Sequence, residues 1–200
     1  MTDYFALLNE PRRPWLEPDA LKRKFLTLSA SIHPDRVHNL GEAERQAAHE
    51  RYAELNAAYN CLREPRDRLR HLLKLERGAP PEDIQRIPSD LMDLFMAIGQ
   101  TCRQADVLLA EKAEITSPLL KAQWFERAQG PIDELQNLQQ RLAVRRGRLT
   151  EELKRSDAEW NANSPQRGAL LQRLEELYRL SSYFARWSAQ VQERMAQLSF

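Results

Sequence analysis

The side chains best placed to do chemistry in this sequence are those of His33-Pro34-Asp35, in the stretch SASIHPDRVH. Proline fixes its own backbone angle and biases the preceding residue away from helix, so His33 and Asp35 are predicted to stand in a rigid loop. Asp35 can accept a paired hydrogen bond from an arginine of a partner, and His33 can donate or accept. No nucleophile lies beside them, so the tripeptide predicts recognition of a partner and not a catalytic triad.

The remaining histidines and the two cysteines do not predict a second functional site. His38, His49 and His71 lack the spacing of metal ligands with acids or cysteines, and Cys61 and Cys102 are far apart in the sequence. The sequence shows no carboxylate pair, no nucleophile with a neighbouring base and no glycine-rich phosphate loop. We therefore predict no metal, no cofactor and no enzymatic activity. The two separated cysteines also indicate a reducing compartment.

The overall charge argues against partners that are recognised by a strong uniform field. The 200 residues include 30 Lys and Arg against 29 Asp and Glu, a formal net charge of +1, so neither nucleic acid nor a membrane surface is predicted to bind. The arginine cluster at 141–148 has no interleaved aromatic residues, which favours a solvated helix face. The N-terminus has no leader pattern and no uncharged run could cross a bilayer, so we expect a cytoplasmic protein.

Two helices are predicted on either side of the His-Pro-Asp loop. In residues 18–32, and again in residues 42–62, apolar side chains recur at steps of three and four, the pattern of a helix with one buried face. The connection is short, so the two helices should pack antiparallel and hold the loop at the exposed tip of a hairpin. Pro65 is predicted to open a shorter helix that stops near Gly78.

The second half of the chain is predicted to be a separate helical domain. We place a linker at residues 77–88, between domains at 1–76 and 89–200. The last helix carries a seam at alternating steps of four and three, formed by Leu170, Leu174, Leu177, Ser181, Phe184, Ser188, Val191, Met195 and Leu198. Such a seam indicates an antiparallel coiled-coil hairpin or small bundle, in which Gly130-Pro131 should kink or break the preceding helix. The fold class is therefore all-α, and a bundle that satisfies its own seam is expected to be monomeric.

Residues 3–75 resemble a J-domain, the module by which DnaJ-type co-chaperones engage the ATPase of seventy-kilodalton heat-shock chaperones. The resemblance rests on YFALL, LKRKFLTLSASIHPDR and YNCLREP. It implies that the loop and the basic face of the preceding helix bind a DnaK-type chaperone and accelerate its ATP hydrolysis. The chaperone-binding residues implied in this way are His33, Pro34, Asp35, Lys22, Arg23, Lys24 and Arg36. Taken alone, the basic run favours an ordinary solvated face; together with the adjacent loop, it fits a solvated face and a binding surface equally.

The stretch EPRDRLRHLLKLERG and the helical second half are similar to HscB, the co-chaperone family of iron-sulfur cluster assembly. This resemblance implies an HscA-type chaperone as partner and a C-terminal domain that recruits an IscU-type scaffold through Leu91, Met92 and Phe95. The same apolar residues equally fit the core of a bundle. Two alternatives stay open: a J-domain protein that delivers a different client, and a coiled-coil adaptor with no chaperone role.

Overall fold

The computed structural model describes residues 2–32, 41–82, 87–162 and 166–199, and within these ranges the chain is all-α without a strand. The predicted fold class is confirmed. The helices, in chain order, are α1 (Tyr4–Leu7), α2 (Pro18–Ser31), α3 (Glu42–Arg63), α4 (Pro65–Arg77), α5 (Met92–Glu114), α6 (Pro118–Asn161) and α7 (Arg167–Ser199), and a 3₁₀ turn, Ser89–Leu91, precedes α5. Every helix in the described part is too short or too polar to serve as a membrane span.

The molecule divides into two compact units that are not successive segments of chain. The first unit contains Met1–Glu82 and Glu151–Arg179, and the second contains Asp83–Thr150 and Leu180–Phe200. Residues of the predicted C-terminal domain therefore occur in both units. The linker at 77–88 and the domain boundaries on either side of it stay predictions.

The hairpin of α2 and α3 lies in the first unit. Pro18 starts α2, where a missing amide donor is tolerated, and Asp19 adds the negative charge that a helix start favours. The two helices pack together, and the rings of Phe25 and Tyr59 stack with their centroids 4.3 Å apart. Leu21, one turn before Phe25, is fully buried. The predicted apolar faces are thus the surfaces that hold the hairpin.

The short helix α1 packs against α3 and was not predicted from the sequence. The Asp3 carboxylate caps it by accepting hydrogen bonds from the amides of Phe5 and Ala6. Tyr4 donates its backbone N–H to Nε2 of His71 at 3.1 Å, and its ring stacks on the imidazole with centroids 4.6 Å apart. An aspartate followed by an apolar run is the signal that would have identified this helix.

Arg68 of α4 is a buried cation that joins separate parts of the first unit. Its guanidinium donates to the carbonyl oxygen of Pro14 at 2.8 Å and to that of Leu62 at 2.7 Å, and it lies over the ring of Trp15. Burial lowers the pKa of Arg68 to about 10, while the negative charge of Asp157 acts in the opposite direction. The side chain therefore remains charged at neutral pH.

Asp157, near the end of α6, fastens the N-terminal segment within the same unit. Asp157 is 5% exposed, and its carboxylate pairs with the guanidinium of Arg13, whose Nε lies 2.9 Å from Oδ1. The pairing raises the pKa of Arg13. One turn further on, Nε1 of Trp160 donates to the carbonyl oxygen of Arg12 at 2.8 Å. A buried carboxylate is tolerated where it is paired in this way, and the contacts explain why residues 151–179 group with the N-terminus.

The seam of α7 is buried largely as predicted. Its buried members are Leu170, Leu174, Leu177, Phe184, Ser188, Val191 and Leu198, while Ser181 and Met195 are half-buried. In the second unit, Trp124 of α6 is fully buried and donates Nε1 to the carbonyl oxygen of Leu108 at 2.8 Å. Three-and-four spacing therefore identified the packed face of the longest elements.

Helix α6 contains Gly130-Pro131, where the sequence predicts a kink or a break. It continues without a break through Gly130-Pro131, although proline removes one helical hydrogen bond. Ala128 and Leu135 are fully buried on either side, so packing keeps this part of the chain helical. Leu119 and Leu120, two apolar residues at the start of α6, are 69% and 50% exposed, and the first fully buried side chain of the helix is that of Trp124.

Replacing Arg68 by methionine should destabilise the protein strongly. Arg68→Met leaves the carbonyls of Pro14 and Leu62 without their donor, and buried unsatisfied groups together cost roughly 2–5 kcal/mol. Urea unfolding followed by circular dichroism measures the loss. Arg66→Met is the matched control, because Arg66 is exposed and pairs with the adjacent Asp67; it should change the free energy of unfolding by about 0.5 kcal/mol or less. Equal stability of the two variants would contradict the role of Arg68.

The environment of His71 predicts that stability falls on acidification. Burial lowers the pKa of His71, reinforced by Lys74 and Arg12 and opposed by Asp3. The unfolded chain therefore binds a proton near pH 6.5 that the folded chain resists, so the free energy of unfolding drops as pH falls through and below about 6.5. The measurement is the urea midpoint of unfolding at pH 7.5 and at pH 5. The decrease in this midpoint between the two pH values should be smaller for His71→Phe than for the unaltered protein.

The control for this measurement is His49→Phe, since His49 is exposed on α3. It should keep the full pH dependence of the unaltered protein. An unchanged pH dependence in His71→Phe would show that His71 does not contribute to the loss of stability in acid.

Candidate partner-binding surfaces

The basic residues predicted for chaperone binding do not share one environment. Lys22 and Arg23 are exposed on α2. Lys24 lies closer to the protein: its ammonium is 2.8 Å from a carboxylate oxygen of Glu10 and donates to the carbonyl oxygen of Asn9, also at 2.8 Å. Lys22 and Arg23 therefore offer charge to a partner more readily, whereas Lys24 already serves as an internal contact.

The predicted loop residues His33, Pro34, Asp35 and Arg36 lie outside the described residues. The helices on either side are described: α2 ends at Ser31, and α3 begins at Glu42. Glu44 supports the start of α3, because its side chain accepts a hydrogen bond from the amide of Gly41 at 3.2 Å. The roles of the four loop residues stay predictions.

The apolar residues predicted for client binding lie at the start of the second unit. Met92 is 42% exposed and Phe95 is 37% exposed, and Met96 on the same helix is 57% exposed. The ring of Phe95 lies 6.0 Å from that of Trp187 in α7, which limits its freedom on the surface. This exposure distinguishes Met92 and Phe95 from core residues, whereas their sequence pattern fitted a bundle interior equally well.

Leu91 differs from the other two residues of that group. Its side chain is only 1% exposed. It lies in the 3₁₀ turn before α5, with its backbone amide bonded to the carbonyl oxygen of Pro88 at 3.0 Å. Leu91 is therefore part of the core, and the surface available to a partner is carried by Met92 and Phe95.

A cleft of about 500 Å³ in the first unit gathers several reactive side chains, including those of Cys61, Asp67, Arg70 and His71. Burial, and then the Asp67 carboxylate, raise the pKa of Cys61 to about 11, so its thiol is protonated and a poor nucleophile at neutral pH. His71 Nε2 is already bonded to the backbone of Tyr4. In the described part of the chain, no cluster of side chains is arranged to hold a metal ion. The cleft therefore presents no catalytic arrangement.

These features define the class of the protein as an all-helical protein with a J-domain-like hairpin and exposed apolar residues on a separate helix. No protein-family model matches the chain. It is 39% identical over 72 residues to a co-chaperone protein HscB homolog of Paraburkholderia phymatum, a match that covers 36% of this chain and 41% of that protein. It is 28% identical over 140 residues to the homolog of Azoarcus sp., covering 70% of this chain and 68% of that protein.

Solved structures of similar fold have the same name. Chaperone HscB from Vibrio cholerae matches 98% of this chain and 99% of its own, with a TM-score of 0.65 and 19% identity. The human co-chaperone protein HscB matches 98% of this chain and 81% of its own, with a TM-score of 0.62 and 18% identity. The structural likeness extends over nearly the whole chain, whereas the match to the first of the sequence relatives spans about two fifths of that relative.

The chain is HscB-like. The resemblance predicted from its sequence motifs is confirmed by similar sequences and by a shared fold.

The different burial of Leu91 and Met92 can be tested by stability. Leu91→Ala should lower the free energy of unfolding by roughly 2–4 kcal/mol because it opens a cavity in the core. Met92→Ala, at a site 42% exposed, should lower it by about 1 kcal/mol or less. Urea unfolding of both variants measures the difference, and a Met92→Ala loss as large as that of Leu91→Ala would contradict the surface assignment.

Proposed function

We propose that this protein is a co-chaperone that stimulates the ATPase of a DnaK/HscA-type chaperone and delivers to it an iron-sulfur scaffold of IscU type. The observation that carries the proposal is the similarity to co-chaperone HscB homologs, which for one of them covers 70% of this chain. The protein performs no covalent chemistry of its own in this proposal, and ATP is hydrolysed in the active site of the chaperone. The proposal requires no cofactor, and Cys61 and Cys102, both unpaired thiols, suit the cytoplasm.

The chaperone contact is assigned to His33, Pro34, Asp35 and Arg36 together with the exposed Lys22 and Arg23. The packed hairpin of α2 and α3 supports this assignment, because it supplies two supported helices from which a short loop can project. A rigid loop loses little conformational entropy on binding. The carboxylate of Asp35 would accept a paired hydrogen bond from an arginine of the chaperone, and Lys22 and Arg23 would steer the encounter electrostatically.

The client contact is assigned to Met92 and Phe95. Leu91, which is buried in the turn before α5, is assigned a supporting role in the core. Exposed methionine and aromatic side chains support this assignment, because they give a partner apolar area and, in methionine, an adaptable shape. The site lies in a different compact unit from the hairpin. One protein can thus contact chaperone and client with separate groups of residues.

The single-turnover ATPase rate of the HscA-type chaperone tests this proposal. The protein should accelerate hydrolysis, and Asp35→Asn, which removes a charged acceptor, should return the rate to that of the chaperone alone. Circular dichroism of the variant should be unchanged. Asp19→Asn is the matched control, because Asp19 is an exposed aspartate of the same hairpin and should preserve the stimulation. Full stimulation by Asp35→Asn would refute the role of the loop.

Repeating the assay with the IscU-type scaffold present tests the client. A further acceleration supports the scaffold assignment, whereas stimulation by the protein with no effect of the scaffold indicates a J-domain protein with another client. A chain that leaves the ATPase unaffected and sediments as a stable oligomer would instead be a coiled-coil adaptor.

A further inference from the structure

The cleft of the first unit is formed by the N-terminal segment, α3 and α4, and α4 supplies its charged wall. That wall consists of Asp67, Arg70, His71 and Lys74. At 100° per residue these four positions lie within one band of the helix surface. The volume of about 500 Å³ is in the range of sites for small molecules. The cleft therefore presents charged groups in a space large enough for a small ligand.

Two positive charges lie next to each other on this wall. Arg70 and Lys74 are four residues apart on α4, a spacing at which like charges destabilise a helix. In the part of the chain that the structure describes, neither side chain forms an ion pair or a hydrogen bond, whereas Arg77, one turn further on, pairs with Glu175. An anion in the cleft would relieve this repulsion.

Neutral hydrogen-bond donors stand close to the two cations. Nε2 of His71 accepts the backbone N–H of Tyr4 at 3.1 Å, so the proton of the neutral ring is on Nδ1. Burial lowers the pKa of His71, which keeps the ring neutral at pH 7.5. On the opposite wall, Asn60 of α3 is exposed and adds an amide N–H₂ group. The basic end of the cleft thus offers charged and neutral donors together.

The number of charges selects the kind of anion. A phosphate monoester carries about two negative charges at neutral pH and has three acceptor oxygens. A single carboxylate, or a phosphate diester such as that of a lipid headgroup, carries one charge and would leave one of the two cations unpaired. The guanidinium of Arg70 can donate two parallel hydrogen bonds to phosphate oxygens, and Lys74 can add a point charge. A phosphate monoester therefore matches this end of the cleft best.

Asp67 gives the other end of the cleft the opposite charge. It lies one turn before Arg70 and His71 on α4. Its Oδ1 accepts from the adjacent Arg66 at 2.9 Å, and no partner of Oδ2 is found within the described ranges. The carboxylate is close enough to Cys61, which also lines the cleft, to raise the pKa of that thiol. Oδ2 can thus accept a hydrogen bond from an amino or hydroxyl group of a ligand.

We propose that this cleft binds a small phosphate monoester with an amino or hydroxyl group at its other end. Arg70 and Lys74 hold the phosphate, and Asp67 accepts from the amino or hydroxyl group. The site goes beyond the proposed function, since its residues are separate from those assigned to the chaperone and to the client. A ligand held by the N-terminal segment, α3 and α4 stabilises the folded first unit, because it binds the folded chain in preference to the unfolded one.

Isothermal titration calorimetry with phosphoethanolamine and with inorganic phosphate at pH 7.5 tests the site. Both probes should bind with one site per chain, and Arg70→Gln or Lys74→Gln should weaken binding about 10-fold or more, because a charged donor is lost. Arg51→Gln is the matched control, since Arg51 is an exposed arginine of α3 that does not line the cleft. It should leave both affinities within about two-fold. Each variant must retain the helical circular dichroism of the unaltered protein.

Asp67→Asn tests the acidic end of the cleft separately. It should weaken the binding of phosphoethanolamine about 5-fold or more, because the ammonium group loses a charged acceptor. The same variant should bind inorganic phosphate as well as the unaltered protein or better, since inorganic phosphate has no amine and the nearby negative charge has been removed. An equal loss for both probes would contradict the role assigned to Asp67.

Four other results would overturn the proposal. If neither probe binds saturably, the cleft is not a phosphate site. If Arg70→Gln and Lys74→Gln bind as tightly as the unaltered protein, the phosphate lies elsewhere on the molecule. If succinate binds as tightly as phosphoethanolamine, the site takes carboxylates and the assignment to phosphate is wrong. If a phosphoserine peptide binds more tightly than phosphoethanolamine, the occupant is a modified protein and a small ester is wrong.

Discussion

The burial of one positive charge constrains the whole first unit. A guanidinium taken out of water needs acceptors around it, and Arg68 finds them in the carbonyl oxygens of Pro14 and Leu62, with the ring of Trp15 beside it. These groups come from the N-terminal segment and from the end of α3. Because a backbone carbonyl cannot be repositioned without moving its segment, the arginine favours one arrangement of the N-terminus, α3 and α4.

Asp157 extends this constraint to a distant part of the chain. It pairs with Arg13 and lowers the electrostatic cost of the buried Arg68, so the end of α6 is tied to the same group of buried polar contacts. The stability of the first unit, which contains the hairpin of α2 and α3, therefore depends on residues more than a hundred positions apart. The exposed Lys22 and Arg23 of α2 take no part in this group of buried contacts.

Helix α5, in the second unit, has two sides of different character. Its inner side is a conventional core face, while its outer side keeps large apolar residues in water. Exposed apolar area of this kind is typical of surfaces that bind partners. A rigid helix held by Ile98 and Cys102 is a better platform for such contacts than a loop, since little further ordering is required.

The sequence by itself determined the longer helices, the hairpin and the resemblance to HscB, because apolar spacing and proline positions are local and act within a few residues. Tertiary structure decided which of those apolar and charged residues remain at the surface. Leu91 and Met92 are adjacent apolar residues, yet Leu91 lies in the core and Met92 is exposed. Lys24 pairs with Glu10, whereas the side chain of Lys22, two residues earlier, is exposed to solvent. Likewise, Pro131 stays within a helix because neighbouring residues are packed. Burial and ion pairing depend on residues that are distant in the chain, so they could not be obtained from local pattern alone.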